Sequence, residues 1–364
     1  MSADYQVQIS DDVHHPAWDA FVASIPGGHH VQTSLWGQVK ATLGWRAERV
    51  VITRDKHIVA GGQVLIRPIP VVGALGYVTK GPLCALEDPA LAEMVVQALH
   101  RVSAAHHVQH LAIQPPNNGK AIAGQLLEWG FRLSWLELAP TASVLIDLTP
   151  GLDILLARMK RQTRQNIRRS ERAGITVREG TEADLHIFYA LHLATSRRQK
   201  FNPYPEKYLV QMWRVLHPLG HLHMLIAEYE REAVSALLIV PFGDTVIAKL
   251  LGWSGLHADC RPNDAVFWAS IQWAKTHGYC RFDLEGLEPA AARAVLNNEA
   301  LPESRLSSPD FFKLGFGGQV VRYPEAYDYV YNPFMRWLYS SVFRETGIGS
   351  AIYHTLDRFR RRFG

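Results

Sequence analysis

The order of hydrophobic patterns along the chain occurs twice. Between residues 46 and 116, three segments alternate apolar and polar positions, the next repeats apolar residues at helical spacing, and the last is apolar again. The same succession returns between residues 221 and 286, about 170 residues further along. Each copy predicts three strands, a helix and a further strand. A repeat of this length indicates a duplicated domain rather than a short-period solenoid.

These elements define the expected fold class. Antiparallel strands that lead into one crossover helix make a mixed sheet, as in acyl-CoA N-acyltransferases of the GNAT type. A chain of 364 residues also favours two domains. We therefore expect an α/β (α+β) protein with two tandem GNAT-like domains related by internal duplication. The first is predicted over residues 1–150 and the second over residues 151–324, with a C-terminal helix, residues 325–364, returning to the first.

A strongly basic helix is predicted between the two copies, over residues 152–173, and Gly174 suits its C-terminal cap. One face carries Arg161, Arg164, Arg168 and Arg172, and the opposite face carries Leu156, Met159, Thr163, Ile167 and Ser170. Residues 158–172 contain seven basic residues and one acidic residue, so the side chains repel one another unless an anion binds. A polyanion is therefore the favoured partner, and an ordinary solvated face is the alternative.

Composition narrows the functional classes. Hydrophobic residues make up 48% and charged residues 20% of the chain, as in a folded globular protein. Because no uncharged apolar run reaches about 18 residues and the first residues are polar and acidic, we expect a cytoplasmic protein. The three cysteines are far apart without CxxC spacing, which disfavours a disulfide framework or a zinc site. His221 and His223 lack an acidic third ligand, so no metal site is expected.

Five short motifs follow one another along the chain. Residues 32–45 read QTSLWGQVKATLGW, residues 76–82 read GYVTKGP, and residues 159–177 read MKRQTRQNIRRSERAGITV. Residues 282–286 read FDLEG and residues 311–318 read FFKLGFGG. Each motif alone has little specificity, but the five in this order resemble the FemABX family of non-ribosomal peptidyltransferases. The resemblance covers nearly the whole chain.

The resemblance implies an activity and its partners. FemABX proteins move an amino acid from aminoacyl-tRNA to the stem peptide of a peptidoglycan precursor, lipid II or UDP-MurNAc-pentapeptide, and so build the interpeptide bridge. The resemblance implies neither a metal nor an organic cofactor. No stretch is long enough for the helical-hairpin arm of some members, so the chain resembles the compact members, and a monomer is expected. The chain departs from the family at Gln114, where an acidic residue is frequent, because an amide cannot act as a base.

The resemblance implies catalytic roles for the residues of this sequence that match the family's motifs. The residues assigned in this way are Lys313, Phe312, Asp283 and Glu285. Lys313 resembles the family lysine proposed to stabilise developing negative charge, and a surface lysine is the alternative. Asp283 and Glu285 occupy alternate positions of one predicted strand and are expected to orient the acceptor amine. Ion pairs with Arg281 or Lys275 are the alternative for both acids.

Binding roles follow from the same motifs. The substrate-binding residues are Lys40, Trp36, Arg198 and Tyr77, and the tRNA-binding residues are the four arginines of the basic helix. Lys40 and Arg198 are expected to bind a diphosphate, since arginine suits bidentate phosphate contact and lysine provides a compact charge. A solvated helix residue is the alternative for Lys40, and Arg197 is the alternative to Arg198.

The C-terminal tail has the composition of a membrane-binding segment, and two alternative functions remain for the whole chain. Residues 334–363 mix aromatic and aliphatic residues with four arginines, a composition suited to the inner membrane surface, although docking onto the first domain is the alternative. An acyl-CoA-dependent N-acyltransferase is the first alternative function. A non-catalytic RNA- or membrane-associated module is the second.

Overall fold

The computed structural model describes residues 5–71, 73–85, 89–134, 137–301 and 308–332. The described chain forms two compact units. Unit 1 contains the residues up to Ala139 and those from Tyr323 onward, and unit 2 contains Pro140–Arg322. Most of the predicted C-terminal helix, residues 333–364, lies outside the described residues.

The elements up to residue 134 follow the predicted order. The strands are β1 (Gln6–Ser10), β2 (Arg46–Arg54), β3 (His57–Ile69), β4 (Gly73–Thr79), β5 (Leu83–Cys84), β6 (Val108–Gln114) and β7 (Arg132–Leu133). The helices are α1 (Pro16–Ser24), α2 (Ser34–Ala41), α3 (Pro89–Ala105) and α4 (Lys120–Glu128).

The elements after residue 140 begin with a strand of unit 2. The strands are β8 (Ala142–Asp147), β9 (Thr176–Glu179), β10 (His223–Tyr229), β11 (Glu232–Phe242), β12 (Thr245–Trp253), β13 (Arg281–Asp283), β14 (Gln319–Arg322) and β15 (Tyr327–Val330). The helices are α5 (Leu152–Arg158), α6 (Arg161–Ala173), α7 (Leu185–Gln199), α8 (Glu206–Leu216), α9 (Pro262–Thr276), α10 (Pro289–Leu296) and α11 (Pro309–Leu314).

Each unit is built on one mixed sheet. The strand order is β1-β2-β3-β4-β6-β15-β7 in unit 1, with β5 paired to β3, and β14-β8-β13-β12-β11-β10-β9 in unit 2. In unit 1, β2, β3 and β4 are antiparallel and β4 is parallel to β6 across the crossover helix α3. In unit 2, β10, β11 and β12 are antiparallel and β12 is parallel to β13 across α9. The predicted repeat of three strands, a helix and a strand is confirmed.

The two crossover helices carry the cores. Strand residues such as Val50, Ile52 and Leu111 of unit 1 pack with the α3 residue Leu99, and all four are fully buried. Unit 2 has a corresponding cluster in which α9 packs on its own sheet. This packing provides most of the burial that stabilises each sheet.

Two strands, β8 and β15, each pair in the other unit from the strand that precedes them in the chain. β8 follows β7 along the chain but pairs with β13 and β14 of unit 2, and β15 follows β14 but pairs with β6 and β7 of unit 1. The start of the predicted C-terminal helix is therefore wrong, because Tyr327–Val330 is a strand. Its alternating Tyr, Asp, Tyr and Val residues suit a paired strand better than a helix.

The predicted single helix over residues 152–173 is also wrong. It divides into α5 and α6, and Met159 and Lys160 between them have extended backbone. The amide of Lys160 donates to the carbonyl of Gly315 at 2.9 Å, so the break pairs the backbone with a turn that lies far away in sequence. A Cβ on Gly317 would lie 2.3 Å from the carbonyl oxygen of Arg158, which explains the glycine at that point of contact. Gly174 ends α6 in the left-handed conformation, as predicted.

Candidate active site

A cluster of charged side chains lies where β13 ends in unit 2. β12 and β13 pair only from Thr245 to Ile247 and from Arg281 to Asp283, after which β12 continues to Trp253 without β13. Asp283, the last residue of β13, is 7% exposed. Its carboxylate accepts hydrogen bonds from the hydroxyl of Ser143 and, at 2.8 Å, from the amide of Glu285. Asp283 thus shapes the turn that follows the strand.

Lys313 reaches this turn from α11. Its ammonium donates to the carbonyl oxygens of Glu285 and Gly286, which have positive φ angles of 33° and 81°. The left-handed turn presents both carbonyls to one cation. An ammonium has three N–H groups, so these two contacts leave one for a ligand. Burial lowers the pKa of Lys313 from its ordinary value of 10.5, and the carboxylates of Glu285, Asp310 and Asp283 oppose that shift.

Glu285 lies in the turn and not on the strand, so the prediction that it shares a strand face with Asp283 is wrong. Its two carboxylate oxygens accept from the ammonium of Lys249 at 2.8 and 3.1 Å. The predicted ion-pair partners are occupied elsewhere: Arg281 contacts Asp244, and Lys275 donates to the carbonyl of Leu148.

Lys249 is the member of the cluster that sequence reasoning missed. Residues Ala248 and Leu250 of β12 pair with consecutive residues of β11, so Lys249 sits in a β-bulge. A bulge redirects a side chain, and here it directs the ammonium to Glu285. The only sequence signal is a lysine within an otherwise apolar strand, TVIAKLLGW.

Aromatic packing positions α11. Phe312 contacts Phe267 and Phe316 with ring centroids 5.2 Å apart in both cases. The ammonium of Lys160 lies 4.6 Å from the ring centroid of Phe311. Phe312, which the sequence assigns to the catalytic group, therefore anchors the short helix that carries Lys313.

The basic helix α6 docks as predicted, with Thr163, Ile167 and Ser170 buried. Arg161, Arg168 and Arg172 are exposed, whereas Arg164 is partly buried. The guanidinium of Arg164 donates to the carbonyls of Ala157 and Met159, at the end of α5. Arg164 therefore caps α5, and three exposed arginines of the predicted face remain for a polyanion.

Arg198 ends α7 and lies against the last residue of β12. Its guanidinium carbon is 4.4 Å from the ring centroid of Trp253, and Nη2 donates to the Trp253 carbonyl at 3.0 Å. Burial lowers the pKa of Arg198 from its ordinary value. The stacked ring orients the guanidinium while the side chain stays exposed.

The predicted binding residues of unit 1 lie on α2 and β4. The ammonium of Lys40 is 5.7 Å from the ring centroid of Trp36, one helical turn earlier. The ring of Tyr77 on β4 lies 4.9 Å from that of Trp45, which follows α2. Trp36 and Trp45 are buried, whereas Lys40 and Tyr77 are partly exposed. Aromatic rings thus support the Lys40 cation and the Tyr77 side chain.

Gln114 has a structural role in unit 1. Its side chain is fully buried, donates to the carbonyls of Ala139 and Pro324 at 3.1 Å each, and accepts from the amide of Ala139 at 2.8 Å. These bonds tie the end of β6 to the points where the chain leaves and re-enters unit 1. A carboxylate could not donate these bonds, which explains an amide at this position.

Comparison with known proteins supports the resemblance to the FemABX family. A family model described as the FemAB family matches residues 13–125, and the crystal structure of FemX superposes with a TM-score of 0.78 over 93% of this chain and 99% of that chain, at 18% identity. The lipid II:glycine glycyltransferases of Staphylococcus haemolyticus and Staphylococcus aureus (strain MRSA252) are 25% and 23% identical over 59% and 58% of this chain. The chain spans about half the length of these curated relatives, 54% and 53%.

The predicted GNAT fold is confirmed. A family model described as an acetyltransferase (GNAT) domain matches residues 157–291, within unit 2. A tandem GNAT protein from the clavulanic acid biosynthesis pathway has a TM-score of 0.54 over 91% of this chain and 99% of that chain, at 10% identity. Two tandem GNAT-like domains are therefore the architecture of this chain.

The match to a GNAT domain suggests acetyl-CoA as a ligand. The residues at the start of α9 show whether its pyrophosphate could bind there. A pyrophosphate at this helix start would need free N–H groups and no competing anion. The first residue, Pro262, has no N–H, and Asp264 in the first turn is 5% exposed and accepts from Asn166 at 3.1 Å. Burial raises the pKa of Asp264 to about 6, so at neutral pH its carboxylate would repel a phosphate. The residues at the start of α9 therefore do not fit the pyrophosphate of coenzyme A.

Metal ligands and membrane-spanning helices were not found among the described residues. Histidine, cysteine and acidic side chains there form no group of three or more that could hold a metal ion. None of the described helices is both long and apolar enough to cross a bilayer.

Proposed function

We propose that the chain is an aminoacyltransferase that moves an amino acid from aminoacyl-tRNA to the stem peptide of a peptidoglycan precursor. The acceptor is lipid II or UDP-MurNAc-pentapeptide, and the product is an interpeptide bridge. The observation that carries this proposal is the Lys313 ammonium, held by two backbone carbonyls where β12 and β13 separate. The match to the FemAB family model and relatives named as lipid II:glycine glycyltransferases support it.

The reaction needs alignment and charge stabilisation more than a nucleophilic side chain. The acceptor amine attacks the ester carbonyl carbon, a tetrahedral oxyanion forms, and the bond to the ribose oxygen then breaks. The ribose oxygen takes up the proton that the attacking amine loses. The remaining N–H of Lys313 donates to the oxyanion or to the departing ribose oxygen. Desolvation strengthens this interaction because the site has a lower effective dielectric than water.

The binding roles stay with the residues that the sequence assigned. Lys40, supported by Trp36, and Arg198, supported by Trp253, are each proposed to bind phosphate groups of the precursor. Tyr77 is proposed to contact the same substrate. Arg161, Arg168 and Arg172 are proposed to contact the tRNA backbone, because they are exposed on one helix. Arg164 supports this surface by capping α5.

The setting of the enzyme is proposed from the same chemistry. We propose a monomer that acts in the cytoplasm, where charged tRNA is available. The arginine-rich, aromatic tail over residues 334–363 is proposed to contact the inner membrane surface peripherally. Cosedimentation with anionic vesicles, compared with neutral vesicles, tests this contact.

A transfer assay tests the proposed function. The protein is incubated with total charged tRNA and either precursor, and mass spectrometry reads the mass added to the stem peptide. We expect addition of one amino-acid residue, and its mass identifies the amino acid. Transfer of an acetyl group from acetyl-CoA, or tRNA binding without any transfer, would contradict the proposal and support the other two functions.

A further inference from the structure

The carboxylate of Glu285 lies in the turn after β13 and forms an ion pair with Lys249. Lys249 contacts it through both oxygens, and both side chains of this pair are 18% exposed. A carboxylate can accept about four hydrogen bonds, so this contact leaves capacity for a ligand. An ion pair of this kind costs desolvation and adds little net stability.

The Glu285 carboxylate lies near the Lys313 ammonium. The backbone carbonyl of Glu285 accepts from Lys313, and of the surrounding carboxylates that of Glu285 most strongly opposes the lowering of the pKa of Lys313. In an aminoacyl ester the α-nitrogen is two bonds from the carbonyl carbon. An oxyanion bound to Lys313 therefore brings the α-ammonium group into the same neighbourhood as this carboxylate.

The charge balance of the cluster favours a cationic ligand group. The described side chains around Lys313 include the carboxylates of Asp283, Glu285 and Asp310 and the ammonium groups of Lys249 and Lys313. Three carboxylates therefore act on the Lys313 ammonium. A cationic ligand group beside Lys313 would be attracted to them, whereas a neutral acyl group would not.

We infer that Glu285, held in place by Lys249, binds the α-ammonium group of the amino acid being transferred. The inference rests on the proposed function and gives Glu285 a role at the donor instead of the acceptor amine. The α-amino group of an amino acid is largely protonated near neutral pH. Binding it as an ammonium selects aminoacyl donors over neutral acyl donors. It also keeps the donor nitrogen from acting as a nucleophile, so the acceptor amine alone attacks.

Donor analogues test this inference without any variant. Alanyl-, seryl- and glycyl-tRNA are compared with the same tRNAs after nitrous acid treatment, which replaces the ammonium by a hydroxyl of similar size. We expect kcat/KM to be about 10–100-fold higher for the aminoacyl donors, the effect of one hydrogen bond to a charged group. Equal rates for both kinds of donor would overturn the inference and leave the proposed function intact. No transfer from either kind would instead overturn the proposed function.

Variants test whether Glu285 is responsible for the preference for aminoacyl donors. Glu285→Gln keeps the side-chain volume and removes the charge, and we expect its preference for aminoacyl over hydroxyacyl donors to fall to about 1. Lys249→Met is expected to reduce the preference partially, because the carboxylate loses its positioning partner. Glu228→Gln is the matched control, since Glu228 is 21% exposed and forms an ion pair with Arg178 elsewhere in unit 2. A purely structural role for Glu285 would lower the rates with both donors equally, and an unchanged preference in Glu285→Gln would overturn the inference.

Discussion

In unit 1, β4 and β6 remain paired through six residue pairs, up to Thr79 and Gln114. In unit 2 the equivalent strands β12 and β13 pair through three, and β12 then continues alone. The buried amide of Gln114 fills the end of the pair in unit 1, whereas the charged groups of Lys249, Glu285 and Lys313 gather at the end of the pair in unit 2. One order of elements thus produces a closed strand end in one unit and an open, charged one in the other.

This difference assigns separate tasks to the two units. Unit 2 has a desolvated cation, three carboxylates that act on it and an exposed basic helix, which suit acyl transfer from a nucleic acid. Unit 1 offers a cation supported by aromatic rings, at Lys40 and Trp36, which suits binding of a phosphate-bearing substrate. We therefore expect variants of Lys313 in unit 2 to change kcat and variants of Lys40 in unit 1 to change KM.

The largest expected effect comes from removing the cation of unit 2. Lys313→Met should reduce kcat by about 10²–10³-fold while KM for the precursor is retained, because one oxyanion donor is lost. Lys275→Met is the matched control, since Lys275 also donates to backbone carbonyls, those of Leu148 and Thr149. Steady-state kinetics of both variants check this. A near wild-type kcat for Lys313→Met would make Lys313 a structural residue.

The crossover helices differ in a way that predicts a pH effect on stability. The first turn of α9 contains the buried Asp264, whereas the first turn of α3 has no acidic residue. Because the folded-state pKa of Asp264 is raised from 3.8 to about 6, its stabilising effect is present at low pH and is lost as pH rises through about 6. A shift of about two units corresponds to roughly 3 kcal/mol.

Asp264→Asn should therefore increase the free energy of unfolding by about 1–3 kcal/mol above pH 7, with a smaller or no gain near pH 4. Urea unfolding followed by tryptophan fluorescence at the two pH values measures the difference. Destabilisation of Asp264→Asn above pH 7 but not near pH 4 would contradict this prediction and would mean that the charged carboxylate stabilises the fold.

Features that depend on neighbouring residues could be predicted from the sequence, whereas features that depend on contacts between distant residues could not. Alternating and helical periodicities predicted the repeated block and both crossover helices, because they are local patterns. The break between α5 and α6 could not be predicted from local patterns. It depends on the hydrogen bond from the Lys160 amide to the carbonyl of Gly315, more than 150 residues away. The Lys249 and Glu285 pair was missed for the same reason: each residue is unremarkable alone, and a β-bulge and a left-handed turn bring the two together.

The exposed arginines of unit 2 should dominate the salt dependence of tRNA binding. Replacing Arg161, Arg168 and Arg172 together by Gln should reduce the slope of log K against log salt by roughly two to three units. Over a fourfold change in salt, that slope corresponds to about 16–64-fold in affinity. Filter binding at several salt concentrations measures it.

The control for this prediction replaces three exposed basic residues of unit 1, Lys56, Arg101 and Lys120, by Gln. We expect their loss to leave the slope nearly unchanged. Similar slopes for the two triple variants would mean that the exposed arginines of α6 form an ordinary solvated face and do not bind tRNA.

The smallest expected effect concerns phosphate binding. Lys40→Met and Arg198→Met should each raise KM for the precursor about tenfold and largely spare kcat, because binding that is equal in ground and transition states appears in KM. Lys120→Met is the control in unit 1. A defect confined to kcat in either variant would refute the binding assignment.

The most direct test of the account is the pH dependence of the single-turnover transfer rate in the wild-type protein and in Lys313→Arg, measured with a hydroxyacyl donor that has no α-ammonium group to lose. Burial lowers the pKa of Lys313 below 10.5, so its cation is present at low pH and is lost as pH rises through that lowered value. We predict that the wild-type rate rises as the acceptor amine deprotonates and then falls before pH reaches 10.5, and that Lys313→Arg, which stays charged, loses the fall. A wild-type rate that keeps rising, or a fall that persists in the arginine variant, would contradict the claim that the Lys313 cation of unit 2 carries the chemistry.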